Sequence, residues 1–283
     1  MLKLENAEKS YGNFHLKCSL KVAPGQITGL IGENGAGKST TFKMILNLIS
    51  ADGGSIQVME KRPEELTVED KEQIGVVLPD SGFSEYLRIR DVAAILKQFY
   101  HTYEEEAFLE MCRRMGFPLD RKISEFSTGM RAKLKLAAAM SHEVKLLILD
   151  EPTAGLDVVA RDEILEALQQ YMERHPDCAI IISSHISTDL EKICDDLYMI
   201  HQGNIILHEE TDVLLSDYGI LKVEEKAYPS LEKEYLLRRK REPYGYSVLT
   251  DKRQFFRENY PEMVVEKGNI DEVITMMVKG ERV

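Results

Sequence analysis

Apolar residues fall into short unbroken runs in the middle of the chain, with helical spacing between and around them. Ile27–Ile31 (ITGLI), Leu146–Leu149 (LLIL) and Ala179–Ile182 (AIII) have no polar alternation, so each predicts a strand covered on both faces. Lys38–Ile49 spaces Phe42, Ile45, Leu46 and Ile49 as a helix does. Residues 83–125 predict two helices, RDVAAILKQFYHTY and EEEAFLEMCRRMGF, the second stopped by Gly116 and Pro118. Glu125–Met140 predicts a third, with Ser127 as its N-cap. YMIHQGNIILHEETDVLL predicts a strand pair followed by a helix start. Strands alternating with helices in this way predict an α/β fold.

Beyond residue 212 the pattern changes. PSLEKEYLLRRKR looks helical, YGYSVLT strand-like, and NIDEVITMMVKGE a capped amphipathic helix, enough for a small α/β appendage. Charge changes at the same place. Residues 213–283 carry 13 basic and 13 acidic residues, so the net charge of −12 lies wholly in residues 1–212. Two domains are therefore expected, 1–212 and 213–283. The basic knot Arg238–Arg241 could touch anionic lipid, but four cations usually form a solvated face.

The composition, 43% hydrophobic and 30% charged, suits a globular protein with a real core. No apolar run approaches the ~18–20 residues of a membrane helix, and MLKLENAEKS has no signal core, which predicts a cytoplasmic protein. The acidity argues against wide contact with nucleic acid. Cys18, Cys112, Cys178 and Cys194 form no C-x-x-C pair, so reduced and mostly buried thiols are expected. HEVKL at 142–146 lacks the second His of a zinc-protease helix.

The most specific motif joins the first strand to the first helix. Gly32-x4-Gly37-Lys38-Ser39 is a Walker A pattern in the strand–loop–helix context that it requires. Its glycines let successive N–H groups wrap a polyphosphate at a helix start. Gly32, Asn34, Gly35, Ala36, Gly37, Lys38, Ser39 and Thr40 are the residues expected on the nucleotide. Lys38 is expected to reach the β- and γ-phosphates and Ser39 to ligate Mg²⁺. Downstream, KLLILDEPTAGLD delivers Asp150 to the C-terminal edge of the sheet, where open α/β folds bind ligands. Asp150 would hold the magnesium shell opposite Ser39, and Glu151 would orient or deprotonate a water.

With these motifs in one order, residues 1–212 resemble the ATP-binding subunit of an ABC transporter. The resemblance rests on GENGAGKST (32–40), FSTGM (126–130) at the signature position, LLILDE (146–151), AGLD (154–157) and ISSH (182–185). It implies a P-loop NTPase of the ABC ATPase type: a mixed β core with a helical subdomain at about 83–140, plus the C-terminal α/β appendage. It further implies ATP and Mg²⁺ as cofactors, Glu151 as catalytic base and His185 as the γ-phosphate sensor. Tyr11 matches the aromatic that stacks on adenine, and Asp157 the D-loop carboxylate that crosses to a second subunit. The helical arm would grip a separately encoded membrane subunit, with Phe83, Tyr86 and Leu87 either as plausible contacts or as residues of a small core. The protein would be peripheral on the inner face of the cell membrane.

The signature stretch answers a physical question: one phosphate loop suffices to bind ATP, yet Ser127 and Gly129 open a second anion-binding helix. That is explained if the second start closes over the γ-phosphate held by another subunit, head to tail, in a homodimer or a heterodimer with a related ATPase. Thr128 stands where the family commonly has Gly and limits the approach there. The family also carries a Gln after a mid-domain strand, and here Pro79 or Asp80 occupies that position. Asp80 is a candidate Mg²⁺ ligand; the alternative is that it caps a turn after Pro79. The tail, like those of many export-type members, points to export, and bracing a dimer or covering the main domain would be its role. The other class considered, a soluble ABC-type ATPase with a non-membrane partner, usually has two ATPase domains or long coiled coils, and this chain has neither.

Overall fold

A computed structural model describes all residues, 1–283. Nine strands form the main sheet: β1 (Leu2–Tyr11), β2 (Phe14–Val22), β3 (Ile27–Ile31), β4 (Gly53–Val58), β5 (Ile74–Val77), β6 (Leu146–Asp150), β7 (Ala179–Ser184), β8 (Asp196–His201) and β9 (Asn204–Glu210). Their order is β4-β1-β2-β9-β8-β3-β7-β6-β5. The five from β8 to β5 are mutually parallel, and β3, β6 and β7 are buried along their whole length, which is why their sequences do not alternate. β1, β2 and β4 pair antiparallel, and β2 buries every second residue.

Helices α1 (Lys38–Ile45) and α2 (Val68–Lys71) follow β3 and β4. α1 is shorter than the apolar spacing predicts, because Asn47 takes a left-handed backbone (φ 54°) and stops it. Helices α3 (Ile89–Phe99), α4 (Glu105–Arg114) and α5 (Thr128–Ala139) lie between β5 and β6 and share a core of their own, including Val92, Leu96, Phe108, Phe126 and Leu134. α6 (Val158–Arg174), α7 (Ser187–Ile193) and α8 (Thr211–Ser216) complete this part.

The remaining strands, β10 (Gly219–Glu224), β11 (Arg238–Glu242), β12 (Gly245–Thr250), β13 (Val264–Lys267) and the two-residue β14 (Glu281–Arg282), form an antiparallel sheet in the order β13-β10-β12-β11-β14. Two helices accompany it, α9 (Arg253–Asn259) and α10 (Ile270–Lys279), the latter capped by Asn269. One face of this sheet buries Leu221, Val223 and Val248 on Phe256 and Tyr228. The other gives Ile220 and Leu249 to the large core, where Ile270, Val273 and Met276 of α10 join Leu190 and Ile193 of α7 and Cys194 just after it.

The basic knot corrects the sequence reading. Arg238–Arg241 is not the end of a helix but strand β11, preceded by two 3-10 turns at Tyr228–Ser230 and Lys233–Tyr235. Pairing with β12 overrides local helix propensity. Its cations are also absorbed. Arg239 lies 5.3 Å and 5.5 Å from the Tyr228 and Tyr246 ring centres, and Arg239, Lys240 and Arg241 pair with Glu281, Glu242 and Glu225. All four cysteines are buried and free, and no helix is long and apolar enough to cross a membrane.

Candidate nucleotide-binding and catalytic site

The site lies at the C-terminal ends of β3, β6 and β7. The loop leaving β3 uses left-handed backbone at Gly35 (φ 81°) and Gly37 (φ 120°), conformations that an L side chain would strain. At Gly32 the reason is space: a Cβ would lie 2.4 Å from the Ile200 carbonyl oxygen on β8. Ala36 and Gly37 are buried; Glu33, Asn34 and Gly35 are exposed; Ser39 and Thr40 are half-buried at the start of α1.

Lys38 is 5% exposed, and its ammonium donates to the Gly32 carbonyl at 2.6 Å and the Glu33 carbonyl at 3.3 Å. It also stands 3.1 Å from Glu151 Oε1, an ion pair without hydrogen-bond geometry. The other oxygen, Glu151 Oε2, is 2.7 Å from His185 Nδ1. Lys38, Glu151 and His185 thus form one chain of contacts, although residues 38 and 185 belong to opposite ends of the domain.

Ser183 fixes this group from the neighbouring strand. It faces Asp150 across the β6–β7 register, donates to Asp150 Oδ1 at 2.6 Å, and accepts the Glu151 N–H at 3.0 Å. Glu151 itself has a left-handed backbone, φ 51°, which costs a non-glycine residue about 1–3 kcal/mol. The turn points its carboxylate away from Asp150 and towards Lys38 and His185. Asp150 is 2% exposed, accepts from Ser183 and has no ion-pair partner within 4 Å. That donor set suits a hard divalent cation. No three His, Cys, Asp or Glu side chains cluster, so such an ion would take most of its ligands from phosphate and water.

Other expected residues stand apart. Tyr11, 49% exposed, ends β1 opposite Phe14, with Lys9 Nζ 5.6 Å from its ring centre. A 600 Å³ cavity beside the phosphate loop is lined by Asn13, Phe14, His15 and residues 33–36, and Tyr11 is not among its lining residues. Ser127 caps α5 by accepting the Met130 N–H at 3.2 Å, and Asp157 caps α6 by accepting the Ala160 N–H at 2.9 Å. Both are exposed and their side-chain hydrogen bonds are local. Gly129 has a packing reason: a Cβ there would come within 2.9 Å of Ala160 Cβ on α6.

Asp80 is exposed in the turn after β5. The turn is closed by Ser81, whose hydroxyl accepts the Leu78 N–H at 3.0 Å and donates to the Leu78 carbonyl at 2.7 Å; the expected alternative role of Asp80 as the cap is therefore wrong.

Sequence reasoning missed Ser183 and the buried network behind AGLD. Asp189, 2% exposed, accepts from Thr153 Oγ1 at 2.7 Å, and Arg161 lies 3.7 Å from its other oxygen while donating to the Leu156 carbonyl at 3.3 Å. The loop 153–157 is thereby held between α6 and α7. Only the Ser-Ser before His185 hinted at the first; nothing local marked the second.

Comparison with known proteins agrees with the geometry. The family described as "ABC transporter" matches residues 16–154. The lantibiotic transport ATP-binding protein SrtF of Streptococcus pyogenes is 33% identical over 216 residues, 75% of this chain and 92% of that protein. The ABC transporter ATP-binding protein YtrB of Bacillus subtilis is 28% identical over the whole chain and 99% of its own length. Among solved structures, the ATP-binding subunit of an ABC transporter superposes with a TM-score of 0.67 at 26% identity, covering 75% of this chain and 91% of that one.

Proposed function

Because the chain belongs to the ABC transporter family of ATP-binding proteins, we propose that two copies close over two ATP molecules and drive export through a separately encoded membrane subunit. The observation that carries this reading is the contact chain Lys38–Glu151–His185 beside the buried Asp150. The buried Lys38 ammonium is held by two carbonyls and a carboxylate, all of which a polyphosphate can replace with its own oxygens. That exchange would free Glu151 to take a proton from water, with His185 holding its second oxygen. Ser39 and Asp150 would hold Mg²⁺, which supplies positive charge to the phosphate oxygens when bound. Asp80 is the further carboxylate candidate. Asp80→Ala is expected to raise the Mg²⁺ requirement for hydrolysis, and an unaltered requirement removes Asp80 from the site.

The dimer follows from the exposed helix starts. Ser127, the Gly129 N–H and Asp157 lie where a second copy could meet them, and Val158 and Val159, 67% and 70% exposed, flank Asp157 as apolar surface. Either an identical or a related ATPase chain would fit. Export is favoured by SrtF, a relative named for lantibiotic transport. A membrane partner would place the protein peripherally on the inner face of the cell membrane, with half-buried Phe83 and Leu87 and exposed Tyr86 as contacts. The test is recovery from membranes followed by an ATPase assay. Co-isolation of a multi-span protein that changes turnover is expected, and recovery without one favours a non-membrane partner.

A further inference from the structure

The helix that begins at Ser127 has a second connection to the reaction centre. Its residues Arg131 and Lys135, one turn apart on the same face, both reach the segment after β5. Arg131 Nη1 pairs with Glu85 at 2.6 Å, and Lys135 Nζ donates to the Pro79 carbonyl at 3.0 Å. Among the hydrogen bonds of residues 78–82, the one from Lys135 alone comes from another element; the rest are internal, between Leu78 and Ser81. Gly82 makes room for the lysine stem, since a Cβ there would lie 3.3 Å from Lys135 Cε. Burial lowers the pKa of Lys135 and the Asp80 carboxylate opposes that, so the amine sits between a partly dry groove and a counter-charge. Pro79, Ser81, Gly82 and Lys135 line one 450 Å³ cavity together with Asp150 and Glu151.

We propose that Lys135 is a positioning residue for ATP hydrolysis, tying the helix that starts at Ser127 to the loop beside Glu151 so that the two move together. Lys135 lies about 10 Å along the helix axis from Thr128 at the ordinary rise of about 1.5 Å per residue, a span over which a helix moves as a rod. A shift of the helix start towards nucleotide is then delivered to residues 79–82, and so to the wall of the Glu151 cavity. A chain with only the Arg131–Glu85 pair would hold the far end of the segment and leave the near end free. The proposal rests on the reading of Ser127 as a contact to ATP held by a second copy.

The test uses the full-length protein with Lys135→Met, which keeps the stem but removes the donor, and Lys135→Arg, which keeps the donor. Without nucleotide, exchange of the Leu78 and Ser81 amides, the hydrogen-bonded ones of this turn, should be about tenfold faster in Lys135→Met and restored by Lys135→Arg, as expected for one hydrogen bond from a charged donor. In steady-state hydrolysis, Lys135→Met should lower kcat by about tenfold on the same ground, with KM for ATP and Tm unchanged and kcat restored by Lys135→Arg. Unchanged exchange overturns the tether. A fall in kcat that Lys135→Arg does not restore, or that comes with a lower Tm, overturns the positioning role. Wild-type protein that binds but never hydrolyses ATP overturns the ATPase reading and, with it, the catalytic half of the proposal; exchange without nucleotide reads the tether independently.

Discussion

Glu151 does two things that its sequence position does not separate. It follows Asp150 directly, yet its left-handed backbone turns it to Lys38 and His185 while Asp150 stays with Ser183. That Glu151 and His185 lie at the same edge of the sheet was legible from their motifs, because each motif has a fixed place at a strand end. Ser183 was not, since its contact depends on the register of two strands 33 residues apart in sequence. Its hydroxyl is the one hydrogen-bond donor found on Asp150, so Ser183→Ala should weaken Mg²⁺ affinity by about tenfold, the lower range for a lost outer-shell partner. A Mg²⁺ titration of ATP hydrolysis checks this, and an unchanged midpoint contradicts it. His142 gives a prediction on pH. It is buried and stacked 3.7 Å from Tyr100 with neither ring nitrogen hydrogen-bonded, and burial pushes its pKa down to about 4 from 6.5, against a weak pull from Glu72. The folded state therefore binds this proton less readily than the unfolded chain. The contribution to stability is complete above pH 6.5 and is lost as pH falls from 6.5 towards 4. Between pH 6.5 and 5, denaturant titrations should show wild type losing about 2 kcal/mol more than His142→Phe. Parallel losses would mean that His142 accepts its proton within the fold.

At the scale of elements, the fully apolar strands β3, β6 and β7 were legible because burial on both faces leaves a continuous run. β11 was not. Its residues are strong helix formers taken alone, and what makes them a strand is pairing with β12 and the aromatic rings of Tyr228 and Tyr246, all distant in the sequence. The starts of α5 and α6 combine both cases. Ser127 and Asp157 are caps that sequence alone predicts, but the contact of Gly129 with Ala160 couples the two helix starts and appears only in the packing. Because Ser127 is exposed and its side-chain bond is local, a bulky replacement should cost no more than the cap, about 1 kcal/mol. Ser127→Trp is therefore expected to bind ATP normally while hydrolysis falls to background, read by nucleotide titration beside turnover. Hydrolysis at the wild-type rate would remove the helix start from the composite site.

As a whole molecule, the chain is two sheets on a shared core. The change of charge near residue 212 marks a change of sheet, yet Leu214, Ile220, Leu249 and three residues of α10 bury in the same core as Leu190 and Ile193 of α7. α7 begins two residues after His185, so the appendage backs the segment that carries His185. Composition and charge exposed the asymmetry, and covering the main domain was one of the two expected roles; which residues dock could not be read, because they are the apolar residues of an otherwise ordinary amphipathic helix. The net charge of −12 sits on the larger part and opposes association of two copies at low salt, so in the proposed dimer ligand contacts rather than the free surfaces would drive closure. The central claim is that ATP itself is the joint. It is tested most directly by the solution mass of Glu151→Gln protein, by light scattering at physiological salt, with Mg²⁺ and with or without ATP. Loss of the base should slow hydrolysis by about 10²–10⁴-fold while leaving binding intact. The account predicts a monomer without ATP and a stable dimer with it; a monomer that holds bound ATP throughout would contradict it.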